Sequence, residues 1–417
     1  MAGRRALGRP FGWLWASFAV SSYGTGLGFG AFALIAVLAL DSGPAQVSAL
    51  AAAGRAVGAL VAVPLGPWVE FRRKRPVMVA MDLIRFAALM SVPAAFALGR
   101  LGFAQLLVVS VVVAAANIAF NAASGAYLKA LVAPEDLLVA NSRFESTTWT
   151  STMLGPPLGG VAIGLFGPVT TVVANAAGYL LSALGIRAIG GTEPSPARTG
   201  APRLRARDLL EGWRHILGHP TLRPLFFNSI LVNGLIMASE PLLAVILLDH
   251  LGFAPWQYGL VFAAPCVGGL VGSRLAHRLV ARFGQHKMML TAGTLRACWP
   301  LGLAFVQPGV PGIVLVIAVQ LGLVTCCGLF NPVLATYRLG HTEPDRVVRT
   351  LSAWSISSSA AIAALTALWG LLAAVTGPRT AIAAAGVLLL ATPLLLPRRE
   401  NAPGGKPAVV QEAVDRA

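Results

Sequence analysis

The sequence predicts an all-α membrane protein in which twelve transmembrane helices form two pseudo-symmetric six-helix bundles. Three observations predict it: a charge-poor composition, a series of apolar segments of bilayer length, and basic residues confined to one side. Of 417 residues, 56% are hydrophobic and 12% charged, about half the charged share of an ordinary soluble domain. Mean hydropathy is +0.73. In water such a chain would expose large apolar patches and aggregate, whereas lipid requires that surface. The same figures exclude disorder, collagen, a disulfide scaffold and a soluble multidomain enzyme.

A helix rising 1.5 Å per residue needs about 20 apolar residues to cross a hydrocarbon core of about 30 Å. The first half offers 11–40, 46–69, 76–98, 103–127, 141–166 and 168–189, the last two separated by the turn Gly167-Pro168. The second half offers 222–248, 255–281, 286–306, 310–337, 348–374 and 378–397. Arg4, Arg5 and Arg9 before the first run resemble a signal-peptide flank. The run is about twice as long as an h-region and further spans follow, so it reads as a retained helix.

With the N-terminus in the cytoplasm, all but Arg55, Arg100 and Arg379 of the 32 basic residues fall on the inner side. That asymmetry is what orients membrane helices. The net charge of +16 therefore reads as orientation, with no nucleic-acid partner, both termini cytoplasmic and the chain in the cell membrane. An internal repeat supports two halves. Phe120-Asn121, Tyr127 and Pro134 recur as Phe330-Asn331, Tyr337 and Pro344, an offset of 210. Gln46, Gly58 and Arg85 recur as Gln257, Gly269 and Arg296, an offset of 211. Repeated halves are a mark of transporters, which hold substrate at the interface between them.

The expected units are an N-terminal bundle, 1–190, and a C-terminal bundle, 222–397, with a cytoplasmic linker, 191–221, and a disordered cytoplasmic tail, 398–417. The linker opens rich in Gly, Pro, Ser and Arg, a flexible composition. It continues as RARDLLEGWRHILGHP, which puts Leu209, Trp213, Ile216 and Leu217 on one helical face. This predicts an amphipathic helix lying on the inner membrane surface.

No metal or cofactor is expected. Cys266, Cys298, Cys326 and Cys327 lie in apolar surroundings without a CxxC pair and read as buried free thiols. His215 and His219 have metal-compatible spacing but no third ligand nearby. The stretch Gly24 to Gly30, GTGLGFG, has no preceding strand and reads as helix packing rather than nucleotide binding. No nucleophile–base set appears, so the chain is not expected to be an enzyme.

The loop after the second span reads Gly66-Pro67-Trp68-Val69-Glu70-Phe71-Arg72-Arg73-Lys74-Arg75. It resembles the signature G-x-x-x-D-R-x-G-R-R/K of the major facilitator superfamily. Gly66, Lys74 and Arg75 match and Glu70 takes the acidic place; Phe71 and Arg73 depart. Gly272 to Lys287 is a degenerate copy in the second half. The fifth span holds Gly155-Pro156-Pro157-Leu158-Gly159-Gly160, similar to the antiporter core GPxxGG, with Ser151 where the longer motif has glycine. The proline removes a helix hydrogen bond and the glycines permit close approach, giving either a bend on which one bundle rocks or a packing kink. DLLEGWRHILGHPTLRPLF, LVAPEDLLVANSR, LGFAPWQYGLVFAAPCVGGLVGS and NPVLATYRLGHTEPDRVVRTLSA resemble the drug and siderophore exporter branch, which includes macrolide-efflux and enterobactin-exporter proteins. Members often carry Gly-Asp where this chain has Gly24-Thr25.

The resemblance implies a charge latch at an inner gate formed by Gly66, Glu70, Lys74 and Arg75. Asp82 and Arg85, three apart near the inner end of the third span, are read as a gate or structural pair. Acidic residues within spans are functional candidates by default. Glu240, just before Pro241 in the seventh span, is the proton-coupling candidate; Arg143 and Glu145, at the start of the fifth, read as interfacial. Polar stripes supply cavity candidates: Ser21 and Thr25, Asn117 and Asn121, Asn233, and Gln320 and Asn331. The expected function is export of an amphipathic small molecule by alternating access, driven by the proton motive force, from a monomer in a lipid bilayer. The alternatives are an uncoupled facilitator or importer, and a membrane sensor or assembly partner that no longer transports.

Overall fold

A glycine with positive φ ends a helix cheaply, and a proline in the next position starts another without losing a needed donor. Gly167 (φ 81°) before Pro168 and Gly377 (φ 89°) before Pro378 do this in the two halves. They stand 210 residues apart, the offset of the sequence repeat. The computed structural model describes residues 7–28, 31–40, 63–190, 210–253 and 255–397, with 50, 56, 57, 60, 61 and 193. Outside the described residues lie Arg4 and Arg5, Gln46 and Gly58, half of the expected span 46–69, most of the linker 191–221, including Leu209, and the tail 398–417.

The first-half helices are α1 (Gly8–Leu27), α2 (Ala31–Leu40), α3 (Leu65–Glu70), α4 (Lys74–Ala97), α5 (Phe103–Leu131), α6 (Leu137–Phe166) and α7 (Pro168–Arg187). A short α8 (Glu211–Gly218) follows. The second half has α9 (Leu222–Val245), α10 (Pro255–Ala263), α11 (Cys266–Phe283), α12 (Gln285–Cys298), α13 (Val310–Gly340), α14 (Val347–Thr376) and α15 (Pro378–Ala391). The described residues contain no strand. Among the described residues, eight helices are long and apolar enough to span a bilayer, against the twelve expected. The first turns of α6, from Asn141 to Ser151, are polar. Those turns face protein, as described below.

Helices α1, α4, α5, α6 and α7 pack on one another, as do α11, α12 and α13, while α9 packs on α14 and α15. Between halves, α6 lies against α11 and α13, and α5 and α3 lie against α14. Large apolar side chains such as Leu165 (71% exposed), Leu371 (69%) and Val375 (87%) remain on the outside, where lipid rather than water suits them.

Helix α8 departs from expectation. Its apolar face rests on protein, not on the membrane surface. Ile216 is fully buried with Leu222, Leu225, Phe226 and Met289, and Trp213 packs against the same cluster. The Trp213 indole donates to the Ser357 hydroxyl at 2.8 Å, while Leu217 stays exposed. An apolar helical stripe must be covered, and here the base of α14 covers it.

Candidate functional site

The two halves meet at the arginine-rich end through a chain of ion pairs. Glu70, at the end of α3, pairs with Arg349 in the first turn of α14. Arg349 also pairs with Glu211 of α8. Arg346 extends the chain to Glu211 at 4.0 Å and to Glu343 at 3.5 Å. Gly212 lets α8 approach closely, since a Cβ there would stand 2.4 Å from the Arg349 carbonyl oxygen. Burial pushes the Glu70 carboxyl up to about 7, outweighing the attraction of Arg349 and Lys74.

A second clasp lies beside the first. The Lys129 ammonium, at the end of α5, donates to the carbonyls of Leu339 and Thr342 in the other half. Deeper along α6, Asn141 donates to Thr336 at 3.0 Å, and the hydroxyls of Ser146 and Ser273 share a hydrogen bond of 2.7 Å. Between these, the Glu145 carboxylate accepts from the Asn331 amide at 2.8 Å and from the Trp149 indole at 2.9 Å. Trp149 packs directly over Gly269 of α11. Glu145 therefore joins α6 to α13 rather than resting at an interface with solvent or lipid. Both its hydrogen-bond donors are neutral.

The other expected gate residues divide. The Lys74 ammonium donates to the carbonyls of Val69, Glu70 and Arg72, closing the open end of α3. Arg75 donates to the carbonyl of Ile189, and the Glu193 carboxylate accepts from the backbone N–H groups of Lys74 and Arg75. Gly66 lies within α3. Asp82 and Arg85 are not at the gate. They form a buried pair inside the first half, and Arg85 also donates to Asn117 at 3.1 Å and lies 4.4 Å from the Phe120 ring and 4.2 Å from Tyr179.

The second half repeats this arrangement without a carboxylate. Arg296 lies 3.6 Å from the Phe330 ring and donates to Asn228 at 2.6 Å. Arg85 with Phe120 and Arg296 with Phe330 are the pairs the sequence repeat had aligned. The residue 211 beyond Asp82 is Gly293.

The polar stripes are only partly open. Ser21 is buried and its hydroxyl bonds within its own helix, to the carbonyl of Phe18. Gln320 is also buried. Thr25, Asn117 and Asn121 are exposed, and the Thr25 hydroxyl shares a 2.9 Å hydrogen bond with Tyr179. Asn233, Asn331 and Glu240 are half-buried; Glu240 sits far from the clasp along α9, within electrostatic range of Cys266. Cys298 is exposed, unlike the buried thiol expected, and all four cysteines are free.

The glycine motif makes a contact within the first half. A Cβ on Gly155 would stand 2.6 Å from the Gly26 Cα, and one on Gly159 would stand 2.4 Å from the Leu27 carbonyl. Gly160 has open space, and α6 runs unbroken through Pro156. Gly24 likewise meets Gly178 of α7.

His215 and His219 gain a neighbour that the sequence spacing did not show: the His341 ring lies 5.9 Å from that of His219. Burial lowers the pKa of His215 and of His219, and nearby positive groups, Arg346 for the first and His341 for the second, add to the effect. No metal-compatible group of His, Cys, Asp and Glu occurs among the described residues.

A paired-half helical fold with a polar clasp at one end invites comparison with known proteins. The family model described as Major Facilitator Superfamily matches residues 14–326 and 225–414. The chain belongs to the major facilitator superfamily. It is thus a multi-pass membrane transporter, not an enzyme. The multidrug efflux pump Tap of Mycobacterium tuberculosis is 28% identical over 346 residues, covering 80% of each chain. Tap of Mycolicibacterium fortuitum is 25% identical over 343 residues, covering 79% of this chain and 82% of that one. Two solved structures share the superfamily fold. The human organic anion transporter MFSD10 has a TM-score of 0.76 at 16% identity, covering 94% of this chain and 100% of the other. A bacterial homologue of the iron transporter ferroportin in the outward-facing state has a TM-score of 0.77 at 17% identity, covering 93% and 98%.

Within the superfamily frame, the loop that carries its signature supplies Glu70 to the clasp. Sequence reasoning missed Arg349, Glu211 and Glu145 as its companions. The first two belong to stretches quoted only for resemblance. Glu145 had a usable signal, an acidic residue inside a span.

Proposed function

We propose that this protein exports amphipathic small molecules of drug, antibiotic or siderophore-like character from the cell by alternating access, in exchange for protons. In this reading twelve transmembrane helices form two rocking bundles, 1–190 and 222–397. The linker 191–221, the tail 398–417 and both termini are cytoplasmic, and the unit is a monomer in the cell membrane. The observation that carries the reading is the clasp of Glu70, Arg349, Glu211 and Lys129 across the two halves at the arginine-rich end. A clasp there shuts the cytoplasmic side and leaves the outer side to open. The multidrug efflux pumps among its relatives support the substrate class and direction.

Two carboxylates are proposed for coupling. Glu240 stands toward the outer end of α9. Glu145 stands where closure ends, and a carboxylate holds its donors more strongly than a neutral acid does. Protonating Glu145 from the outer side therefore loosens its bond to Asn331 and eases α6 from α13. One proton moving through about 150 mV yields ~3.4 kcal/mol, enough for a gradient of a few hundredfold.

The test is proton-driven efflux of a fluorescent lipophilic cation in everted vesicles. Glu240→Gln and Glu145→Gln should each fold, and at least one should abolish uphill efflux while leaving downhill movement of the dye. Full uphill activity in both would remove proton coupling through these groups. Transport without any accompanying proton flux would leave an uncoupled facilitator.

A further inference from the structure

A cleft of about 560 Å³ opens between the first turns of α4 and the last turn of α7 at the arginine-rich end. Its rim carries Arg73, Arg75 and Arg187, and its wall continues as Val79 and Leu83. The Glu193 carboxylate is the acidic group on the rim, and it faces the first backbone N–H groups of α4. Among the described lining residues, three guanidinium groups stand against one carboxylate, a positive balance. Val79 and Leu83 lie one turn apart on the outer stripe of α4, with Leu83 44% exposed, while Asp82 and Arg85 turn into the bundle and are buried. The cleft therefore opens to the outside of the protein, away from the path between the halves.

We infer that this cleft binds an anionic phospholipid, its phosphate between Arg73 and Arg187 and an acyl chain along Val79 and Leu83. The charge pattern chooses the occupant. Arginine binds phosphate through paired N–H groups, and basic pockets between helices at the membrane boundary suit acidic headgroups. The arginines stand where α4 enters its apolar stretch, and the apolar wall begins within two turns of them. A soluble anion would use the rim and leave the wall uncovered; a lipid fills both. The volume lies within the range of small-molecule sites, about 300–1,000 Å³. This inference does not depend on which solute is carried.

The probe is dioleoylphosphatidylglycerol, with dioleoylphosphatidylcholine as the neutral control, added to purified protein in detergent and read by native mass spectrometry. The full chain should retain the glycerol lipid well above the choline lipid. Arg73→Gln with Arg187→Gln should reduce that retention about thirtyfold, about fivefold for each arginine, and leave the choline lipid unchanged. Arg73→Lys with Arg187→Lys keeps the charge and should stay within about threefold of the parent, which controls for folding. Millimolar inorganic phosphate should not displace the lipid. Equal retention of the two lipids, unchanged retention in the glutamine pair, or displacement by inorganic phosphate would each overturn the assignment.

Discussion

Arg85 and Arg296 are the same residue twice, placed in two chemical settings. Each lies on an aromatic ring, but Arg85 also faces a buried carboxylate while Arg296 meets the neutral Asn228. Removing one member of a buried ion pair strands the other, at a cost of about 3–5 kcal/mol. Arg85→Met should therefore lower stability by that amount. Arg296→Met should cost only about 1–2 kcal/mol, because Asn228 keeps its bond to the Thr392 carbonyl. Thermal unfolding of both variants in the same detergent checks the difference, and equal losses would refute it. The pairing was legible in the sequence because residues at one offset do one job. Glu145 was not: a span that begins at 141 puts it near the membrane edge, but a 3-10 turn at Pro134–Asp136 leads α6 off at Leu137. The carboxylate thus stands more than two turns inside the helix, facing α13.

Helices in this protein are positioned by what their small residues allow. The sequence stripe on α8 said that one face needed cover, but lipid and protein cover an apolar face equally well. Only the structure shows that α14 does so. The glycines of α6 were legible as sites of close approach, yet not which helix approached. Gly155 and Gly159 meet α1 of their own half, so that part of the motif packs helices within a half. Gly155→Ala puts a methyl against the Gly26 backbone and should destabilise the protein by about 1–3 kcal/mol. Gly160→Ala meets open space and should be neutral or stabilising by up to about 1 kcal/mol. The order of the two melting temperatures tests this, and a reversed order would show that Gly155 is not in close contact.

At the scale of the molecule, the halves touch through polar groups and through an apolar cluster in which Leu339, Val347, Val348 and Leu351 pack with first-half residues, and the proposed cycle requires both to release as well as bind. Composition, apolar runs and the basic side were enough to read the class of fold, because each follows from the bilayer itself. The clasp was half legible: the loop motif pointed to Glu70, but its partners lie about 140 and 280 residues away, beyond any local pattern. Glu70 also gives the clasp a pH dependence. Its carboxyl titrates near 7 when clasped, beside Arg349, Lys74 and Asp345, and at 4.5 when solvated. The clasped state holds the extra proton between these values. Its stability therefore rises as pH falls from 7 toward 4.5 and is lost as pH rises through 7. His215 faces Arg346, Glu343 and Asp345, and His219 faces His341 and His215, so neither lies among the groups acting on Glu70. The direct measurement is a pair of spin-label distances, with the native cysteines replaced. One pair is at Arg72 and Glu343 beside the clasp, the other at Leu165 and Leu371 toward the far end. Going from pH 8 to pH 5 in the Glu145→Gln protein, where only the Glu70 side of the clasp responds, should shorten the first distance and lengthen the second, and Arg349→Gln should shift both populations the opposite way. Two distances that stay fixed, or that change in the same sense, would contradict alternating access through this clasp.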